Sequence, residues 1–253
     1  MFMKKISIAT LGTAHGDPTA ERFNSSTLLE LSDGTGILID AGTPVLALLI
    51  RKGFDLHRLR HIFITHMHED HTGGLPDILK FLAKRMTGDA HCTIHLPEIS
   101  AVPAINAFIN TSHRPVDNLR SSFAELTAGS KDFGNFKLTA IPTAHASNER
   151  LSFPSFALLF EADGKKLLFS GDLAKDLRDY PAGVAADIYF MEITHYRFEN
   201  ALPLLAKSDF KQVVFNHVGN EWHGKEAEKL FAEMSAGLPF PCYLAHDGEE
   251  FTV

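Results

Sequence analysis

The sequence of 253 residues is poor in cysteine and has no long apolar run. Its two cysteines, Cys92 and Cys242, are too few and too far apart for a disulfide scaffold or a thiolate metal cluster, so we expect two unreactive, buried thiols. No segment approaches the ~18 to 20 apolar residues that a membrane span requires. The apolar segment after Lys5 is only strand-length and predicts a first strand rather than a leader peptide. These features predict a soluble, cytoplasmic protein.

The chain also lacks an excess of positive charge and any obvious internal boundary. It has 31 acidic against 24 basic side chains, a formal charge of -7, so the broad basic surface of non-specific nucleic-acid binders is not expected. No linker rich in proline, glycine or serine divides the sequence, and 45% of its residues are hydrophobic, as in globular proteins. We therefore predict a single domain over residues 1–253.

Apolar patterns predict alternating strands and helices. Two Asp-Gly pairs, Asp33-Gly34 and Asp163-Gly164, separate short apolar runs and predict two β-hairpins. Helical periodicity covers residues 44–51, 75–85, 101–110, 198–206 and 225–234, and further strands are predicted at 62–64, 93–96, 137–141, 188–191 and 213–215. This interleaving predicts a layered α/β protein with mixed sheets.

The two halves of the chain show a weak similarity. The first half has an apolar strand, Asp40, a helix, and a strand that ends at His66; the second half has an apolar strand, Asp172, a helical stretch, and a strand that ends at His217. A duplicated unit would place the two histidines at equivalent strand ends, facing each other across two sheets.

The strongest functional signal is a cluster of polar side chains between a strand and a helix. Within six residues lie His66, His68, Glu69, Asp70 and His71, a density of polar groups that packing does not require. Imidazole nitrogen and carboxylate oxygen are normal zinc ligands, and side chains two apart in an extended backbone point the same way. The start of the helix adds a preference for negative charge. The cluster therefore predicts a metal site.

This His-x-His-x-Asp-His pattern resembles that of the metallo-β-lactamase-fold hydrolases. Other elements of that family occur in the expected order along essentially the whole chain: Asp40-Ala41-Gly42, Thr143-Ala144-His145, Ser170-Gly171-Asp172 and Asn216-His217. The resemblance implies a four-layer αββα sandwich of two mixed sheets with outer helices.

The resemblance also implies a ligand set for two divalent metal ions, zinc first, with manganese or iron as alternatives. One ion would be held by His66, His68 and His145, the other by Asp70, His71 and His217, and Asp172 would bridge both. His246 is an alternative to His217 as the last ligand. Asp40 is expected to support the metal loop by hydrogen bonds, and Asp172 could also cap a following helix.

Two further segments resemble the ribonuclease Z-like phosphodiesterase branch of that family. These are the opening Leu11-Gly12-Thr13 and the strand end Glu192-Ile193-Thr194, where Met191 stands in place of the histidine of the branch motif. The implied activity is hydrolysis of a small phosphodiester by attack of a metal-bridging hydroxide. We expect Asp70 to be catalytic as a metal ligand, and His195 to protonate the leaving group while Glu192 orients it.

The spacing of the later motifs limits the substrate. Only 26 residues separate His145 from Asp172, too few for the arm with which ribonuclease Z grips transfer RNA, so we expect a small-molecule substrate and no nucleic acid. We expect no membrane partner and a homodimer. A lactonase or thioesterase is the alternative enzyme, and a non-catalytic metal-binding sensor is the alternative without turnover. Further candidates for the pocket are His15, His113, His223, Arg114 as a phosphate ligand, and the aromatic residues Phe153 and Phe156.

Overall fold

The computed structural model describes residues 5–111, 120–145 and 152–253, and two β-sheets dominate it. Its strands are β1 (Ser7–Gly12), β2 (Ser26–Glu30), β3 (Gly36–Ile39), β4 (Leu59–Phe63), β5 (Cys92–Leu96), β6 (Ser121–Glu125), β7 (Gly129–Asp132), β8 (Lys137–Pro142), β9 (Phe156–Ala162), β10 (Lys165–Phe169), β11 (Ile188–Ile193), β12 (Val213–Val218), β13 (Cys242–Leu244) and β14 (Glu249–Thr252). Its α-helices are α1 (Val45–Lys52), α2 (Glu69–Thr72), α3 (Leu75–Arg85), α4 (Val102–Asn110), α5 (Phe198–Leu205) and α6 (Lys225–Ser235).

Both sheets have seven strands and the same pattern of pairing. The first sheet has the order β14-β1-β2-β3-β4-β5-β6, and the second has the order β13-β12-β11-β10-β9-β8-β7. In the first sheet the pairs from β14 to β3 are antiparallel and those from β3 to β6 are parallel. In the second, the pairs from β7 to β10 are antiparallel and those from β10 to β13 are parallel.

Three apolar cores separate four layers. The core between the sheets contains Phe63 and Phe160, both fully buried. A second core lies between the first sheet and helices α1, α3 and α4, where Leu49 and Leu79 are fully buried. A third lies between the second sheet and helices α5 and α6, around Phe215. Apolar side chains buried on both faces of each sheet hold the layers together, and the predicted αββα sandwich is confirmed.

Local predictions from turns and periodicity are largely confirmed. The Asp33-Gly34 hairpin joins β2 to β3 with Thr27 opposite Ile39, and the Asp163-Gly164 hairpin joins β9 to β10. All five helices expected from periodicity are present within two residues of their predicted ends. The two cysteines are free; Cys92 is buried, as expected, whereas Cys242 is only partly buried. Burial raises the pKa of the Cys92 thiol and raises that of Cys242 to about 11.

No helix begins directly after Asp172, so the alternative role of this residue as a helix cap is wrong. Residues 173–187, all described, form an irregular loop that leads to β11, so Asp172 does not cap a helix. The error has a physical reason: Leu173 and Leu177 are four residues apart, as on a helix face, and both are buried, but from a loop. Leu177 has φ +56°, which ends any helical path.

In the described part of the chain, each helix is too short or too polar to cross a lipid bilayer.

Candidate metal centre

The predicted ligands meet at one end of the sandwich, beyond the carboxyl ends of parallel strands. The loop after β4 carries the histidine cluster, and the segments after β8 and β10 carry His145 and Asp172. The end of β12 carries His217. Because these strands run in the same direction within their sheets, their carboxyl ends bring residues from both halves of the chain together.

Two glycines of the family motifs permit close backbone approach at this end. A Cβ atom on Gly42 would collide with the carbonyl oxygen of Asp70. Gly171 has φ +54°, and a Cβ there would lie 2.6 Å from the carbonyl oxygen of Phe156. A larger residue at either position would displace the loops that carry the predicted ligands, which explains why glycine stands there.

One group of donor atoms surrounds a point between the sheets. His66 Nε2 lies 3.0 Å from His68 Nδ1, which lies 3.4 Å from His145 Nε2. Asp172 Oδ2 is 3.6 Å from His66 Nε2 and 3.5 Å from His145 Nε2. These four residues form one of the groups whose ligand atoms all lie within 4.8 Å of one another.

A second group lies on the other side of Asp172. Asp70 Oδ2 is 3.3 Å from His71 Nε2 and 3.2 Å from His217 Nε2. Asp172 Oδ1 is 3.5 Å from both of these nitrogens. The two carboxylate oxygens of Asp172 therefore face different groups, which is the arrangement of a bridging ligand.

The spacing of these atoms fits a divalent cation. Ligands about 2.0–2.1 Å from one tetrahedral zinc ion lie ~3.3 Å apart, close to the separations in both groups. Asp172 Oδ1 and His71 Nε2 are buried and have no hydrogen-bond partner among the described residues. Such unsatisfied buried atoms are costly in the absence of a ligand, and a metal ion would satisfy both.

The electrostatics of the ligands favour the same conclusion. Burial would raise the pKa of Asp70 and Asp172, but neighbouring histidines, His71 and His217 foremost, lower it below the usual range. Burial lowers the pKa of His66, which leaves a neutral imidazole with a free lone pair. Burial opposes a proton on His71, yet the carboxylates of Asp40 and Asp172 raise its pKa, and their field would also favour a metal cation.

Asp40 holds the metal loop, as predicted. Its Oδ2 lies 2.7 Å from His71 Nδ1, and its Oδ1 accepts a hydrogen bond of 2.8 Å from the backbone N–H of Thr65. The first contact places the proton of His71 on Nδ1 and leaves Nε2 for a metal.

Glu192 and His195 form the predicted pair beside the centre. Glu192 is buried, and its Oε1 lies 3.1 Å from His195 Nδ1. Burial alone would lower the pKa of His195, but the hydrogen bond and charge of Glu192 raise it. His195 Nδ1 is also 3.7 Å from Asp172 Oδ2, and with Asp172 and His217 it forms a third group of metal-ligand type.

Asp179 is a supporting residue that the sequence did not predict. Its Oδ2 accepts hydrogen bonds from the backbone N–H of Ala144 at 2.6 Å and of Ala174 at 3.0 Å. It thereby joins the segment before His145 to the segment after Asp172. Asp179 belongs to no recognisable motif. The only sequence signal for it is that its loop is rich in aspartate.

The other predicted candidates that the structure describes belong to none of the donor groups. His246 contacts Arg22 and Glu228, so the structure brings His217 and not His246 to Asp70. His223 Nε2 is 3.3 Å from the carbonyl oxygen of Val218. Phe156 is buried in the core between the sheets, Phe153 is 55% exposed, and the Nε2 atom of His15 is buried without a described hydrogen-bond partner. His113 and Arg114 lie outside the described residues.

Comparison with known proteins places this geometry in context. Ribonuclease Z of Macrococcus caseolyticus is 24% identical over 306 residues, which cover 98% of this chain and 100% of the relative. The anti-Pycsar protein Apyc1 of Bacillus phage vB_BsuM-Goe3 is 30% identical over 173 residues, 62% of this chain and 65% of the relative. The metallo-β-lactamase fold protein YhfI from Bacillus subtilis superposes with a TM-score of 0.76 at 17% identity, covering 97% of this chain and 99% of YhfI.

Fold, donor groups and relatives together define a metal-dependent hydrolase of the metallo-β-lactamase fold, in its ribonuclease Z-like branch. Residues 6–201 match the family described as "Anti-Pycsar protein Apyc1", and the chain belongs to that family. The resemblance inferred from the sequence motifs is thereby confirmed.

Proposed function

We propose that this single-domain protein is a dinuclear phosphodiesterase that hydrolyses small phosphodiesters in the cytoplasm. One observation carries the proposal: two groups of imidazole and carboxylate donors share Asp172, whose Oδ2 faces His66 and His145 while its Oδ1 faces His71 and His217. When bound, a pair of divalent ions, zinc first, lowers the pKa of water toward neutrality and withdraws charge from phosphoryl oxygens.

The ligands we assign are the seven residues that the motifs predict. His66, His68 and His145 would hold one ion, Asp70, His71 and His217 the other, and Asp172 would contact both. Asp40 keeps His71 in the tautomer that leaves Nε2 free, and so acts on the site without being a ligand.

His195 is proposed to protonate the leaving oxygen. It is half-buried beside Asp172, and Glu192 both orients the ring at Nδ1 and raises its pKa, which favours the protonated form that a general acid needs. Glu192 also accepts hydrogen bonds from the backbone N–H groups of Leu173 and Thr194, so its carboxylate is fixed before any substrate arrives.

A low-molecular-weight substrate is favoured over transfer RNA. The match to ribonuclease Z extends over 306 residues, more than the 253 of this chain, so that relative has segments with no counterpart here. Between His145 and Asp172 the hairpin of β9 and β10 occupies most of the chain, which leaves no length for a protruding arm. A cyclic nucleotide or a similar small ester fits these limits.

We also propose that the protein functions as a homodimer.

The proposal is tested by metal analysis and a substrate panel. Purified protein is expected to contain two divalent ions per chain and to cleave bis(p-nitrophenyl) phosphate. Turnover of lactones or thioesters without phosphodiester cleavage would identify the alternative enzyme class, and metal binding without any turnover would identify a sensor.

The Asp70→Ala variant tests the second ion. We expect it to lose one metal per chain and at least ~100-fold in kcat, because Asp70 contacts two histidines of that group. The matched control is Glu69→Ala, since Glu69 is the exposed neighbour on α2 and belongs to none of the donor groups. An Asp70→Ala variant as active as the parent would refute the two-metal proposal.

A further inference from the structure

A cleft adjoins the metal centre and shares His145 and His195 with it. Its volume is about 330 Å³, and the rest of its wall comes from Ala144 and from the loop after Asp172. Clefts of roughly 300–1,000 Å³ commonly hold small organic ligands. A substrate held at the metals would therefore extend its non-reacting part into this space.

The loop that forms this wall is held in place. The backbone N–H of Leu173 donates to Glu192, and that of Ala174 donates to Asp179. Asp179 also accepts from Ala144 on the opposite wall. The side chain of Leu177 is buried in the core between the second sheet and its helices, which fixes the loop to the body of the protein. The cleft is consequently preformed rather than assembled by the substrate.

Two cationic side chains lie at this cleft in a protein of net negative charge. Lys175 and Arg178 both line it, and both are exposed. Lys175 has no ion pair within the described segments, and Arg178 pairs at 3.0 Å with Asp176. An ion pair between exposed groups is weak and readily exchanged. Lys and Arg only donate hydrogen bonds, and phosphate is the ligand that both recognise well.

We propose that this cleft is an anion subsite, in which Lys175 and Arg178 bind a second phosphate group of the substrate. The inference rests on the proposed phosphodiesterase activity and narrows its substrate class to small phosphodiesters that carry a further phosphate. The scissile phosphodiester would lie at the metals, and the second phosphate would displace Asp176 from Arg178. Among the described residues, Asp176 is the one acidic side chain that lines the cleft, and its ion pair with Arg178 must open before a phosphate can bind there.

Two chromogenic esters that differ by one phosphate test this inference. They are the p-nitrophenyl ester of thymidine 5′-phosphate and the same ester with an added 3′-phosphate. We expect the parent to prefer the second by about tenfold in kcat/KM, through charge-assisted hydrogen bonds. Lys175→Met, Arg178→Met and their combination are expected to bring the ratio toward one. Lys207→Met, which removes an exposed lysine beyond the end of α5, is the control that keeps the ratio.

A binding measurement separates this inference from the proposed activity. Calorimetry compares thymidine 3′,5′-bisphosphate with thymidine 5′-phosphate on the parent and on the double variant. A preference for the bisphosphate that the double variant loses supports the subsite, even if neither ester is cleaved and the phosphodiesterase proposal fails. Cleavage of both esters without a preference, or a preference that survives the double substitution, overturns the subsite and leaves the proposed activity standing.

Discussion

At the scale of single residues, the surroundings of His195 allow two roles. Its Nδ1 contacts Glu192 at 3.1 Å, as for an oriented proton donor, and lies 3.7 Å from Asp172 Oδ2, within the range of a metal-ligand group. The two roles predict different dependences of kcat on the basicity of the leaving group. A proton donor matters most when the leaving oxygen is strongly basic.

The His195→Ala variant is therefore expected to discriminate between leaving groups. For a phosphodiester with an alkoxide leaving group we predict a loss of ~100-fold or more in kcat, the usual contribution of a general acid. For p-nitrophenolate, which leaves without a proton, the loss should be under about tenfold. Steady-state kinetics on both esters, with metal content measured in parallel, decides the matter. Equal losses accompanied by a lost metal ion would make His195 a ligand instead.

Single residues also show how far the motifs carried the prediction of the site. The seven ligands could be predicted because they stand in short local patterns, such as Ser170-Gly171-Asp172 at the end of β10, and the structure brings them together. Asp179 has no such pattern. Its role depends on a loop that turns back at Leu177 and brings it to Ala144, which lies 35 residues away in sequence. Contacts of that kind leave no mark in local sequence.

At the scale of elements, Asp179 connects two ligand-bearing segments. Asp179→Ala removes the acceptor for the N–H groups of Ala144 and Ala174, so we predict that His145 and Asp172 lose their fixed relative position. The affinity for the ion that we propose to lie between His66 and His145 should fall by about tenfold, as for other residues that support ligands.

Chelator competition measures this change in affinity. The conservative Asp179→Asn variant, whose side-chain oxygen still accepts a hydrogen bond, is expected to recover much of the loss. The exposed neighbour Asp176 provides the control, since Asp176→Ala should leave metal affinity unaltered. If Asp179→Ala binds metal as the parent does, the connection between the two segments has no bearing on the site.

The similarity between the two halves of the sequence has a counterpart in the sheets, but shifted by one strand. Both sheets have three antiparallel pairs followed by three parallel pairs. In this correspondence β3 matches β10 and β4 matches β11, so the partner of His66 is His195 and not His217. The shift was not predicted, because the match of His66 to His217 passes over β11, the strand that lies between Asp172 and His217.

Several strands could not be predicted because their residues carry little pattern. Strand β7 (Gly129–Asp132) is exposed throughout and lies at the edge of its sheet, and β13 has only three residues. Neither shows the alternation of apolar and polar residues on which strand prediction depends. Pairing with β8 and β12 forms them, and such pairing is a property of the assembled sheet.

At the scale of the whole molecule, we predict that a buried histidine pair makes folding sensitive to acid. His61 Nδ1 and His95 Nε2 lie 3.1 Å apart, and His95 stacks on Phe63 in the core between the sheets. Burial lowers the pKa of His61 to about 4 and that of His95 to about 3. In the unfolded chain both titrate near 6.5. As pH falls from 6.5 toward 4, these histidines take up protons in the unfolded state but not in the folded state. The free energy of unfolding therefore decreases.

The His95→Phe variant should reduce this loss. Between pH 7 and pH 5 we predict that its free energy of unfolding falls by about 2 kcal/mol less than that of the parent. Urea unfolding of chelator-treated proteins at the two pH values gives the comparison, and phenylalanine preserves the stacking on Phe63. Replacement of the exposed His57 by glutamine is the control. The same decline in parent and His95→Phe would show that the buried pair does not govern acid stability.

The proposed ligands come from distant parts of the chain: Asp70 and His217, which meet at 3.2 Å, are 147 residues apart in sequence. A cation shared by them closes a loop longer than half the protein, and such a closure restricts the unfolded chain as a covalent cross-link does. The metal centre would then cross-link the two sheets in addition to being the catalytic site. The rate at which proteases digest the protein should therefore fall as the occupancy of the metal site rises.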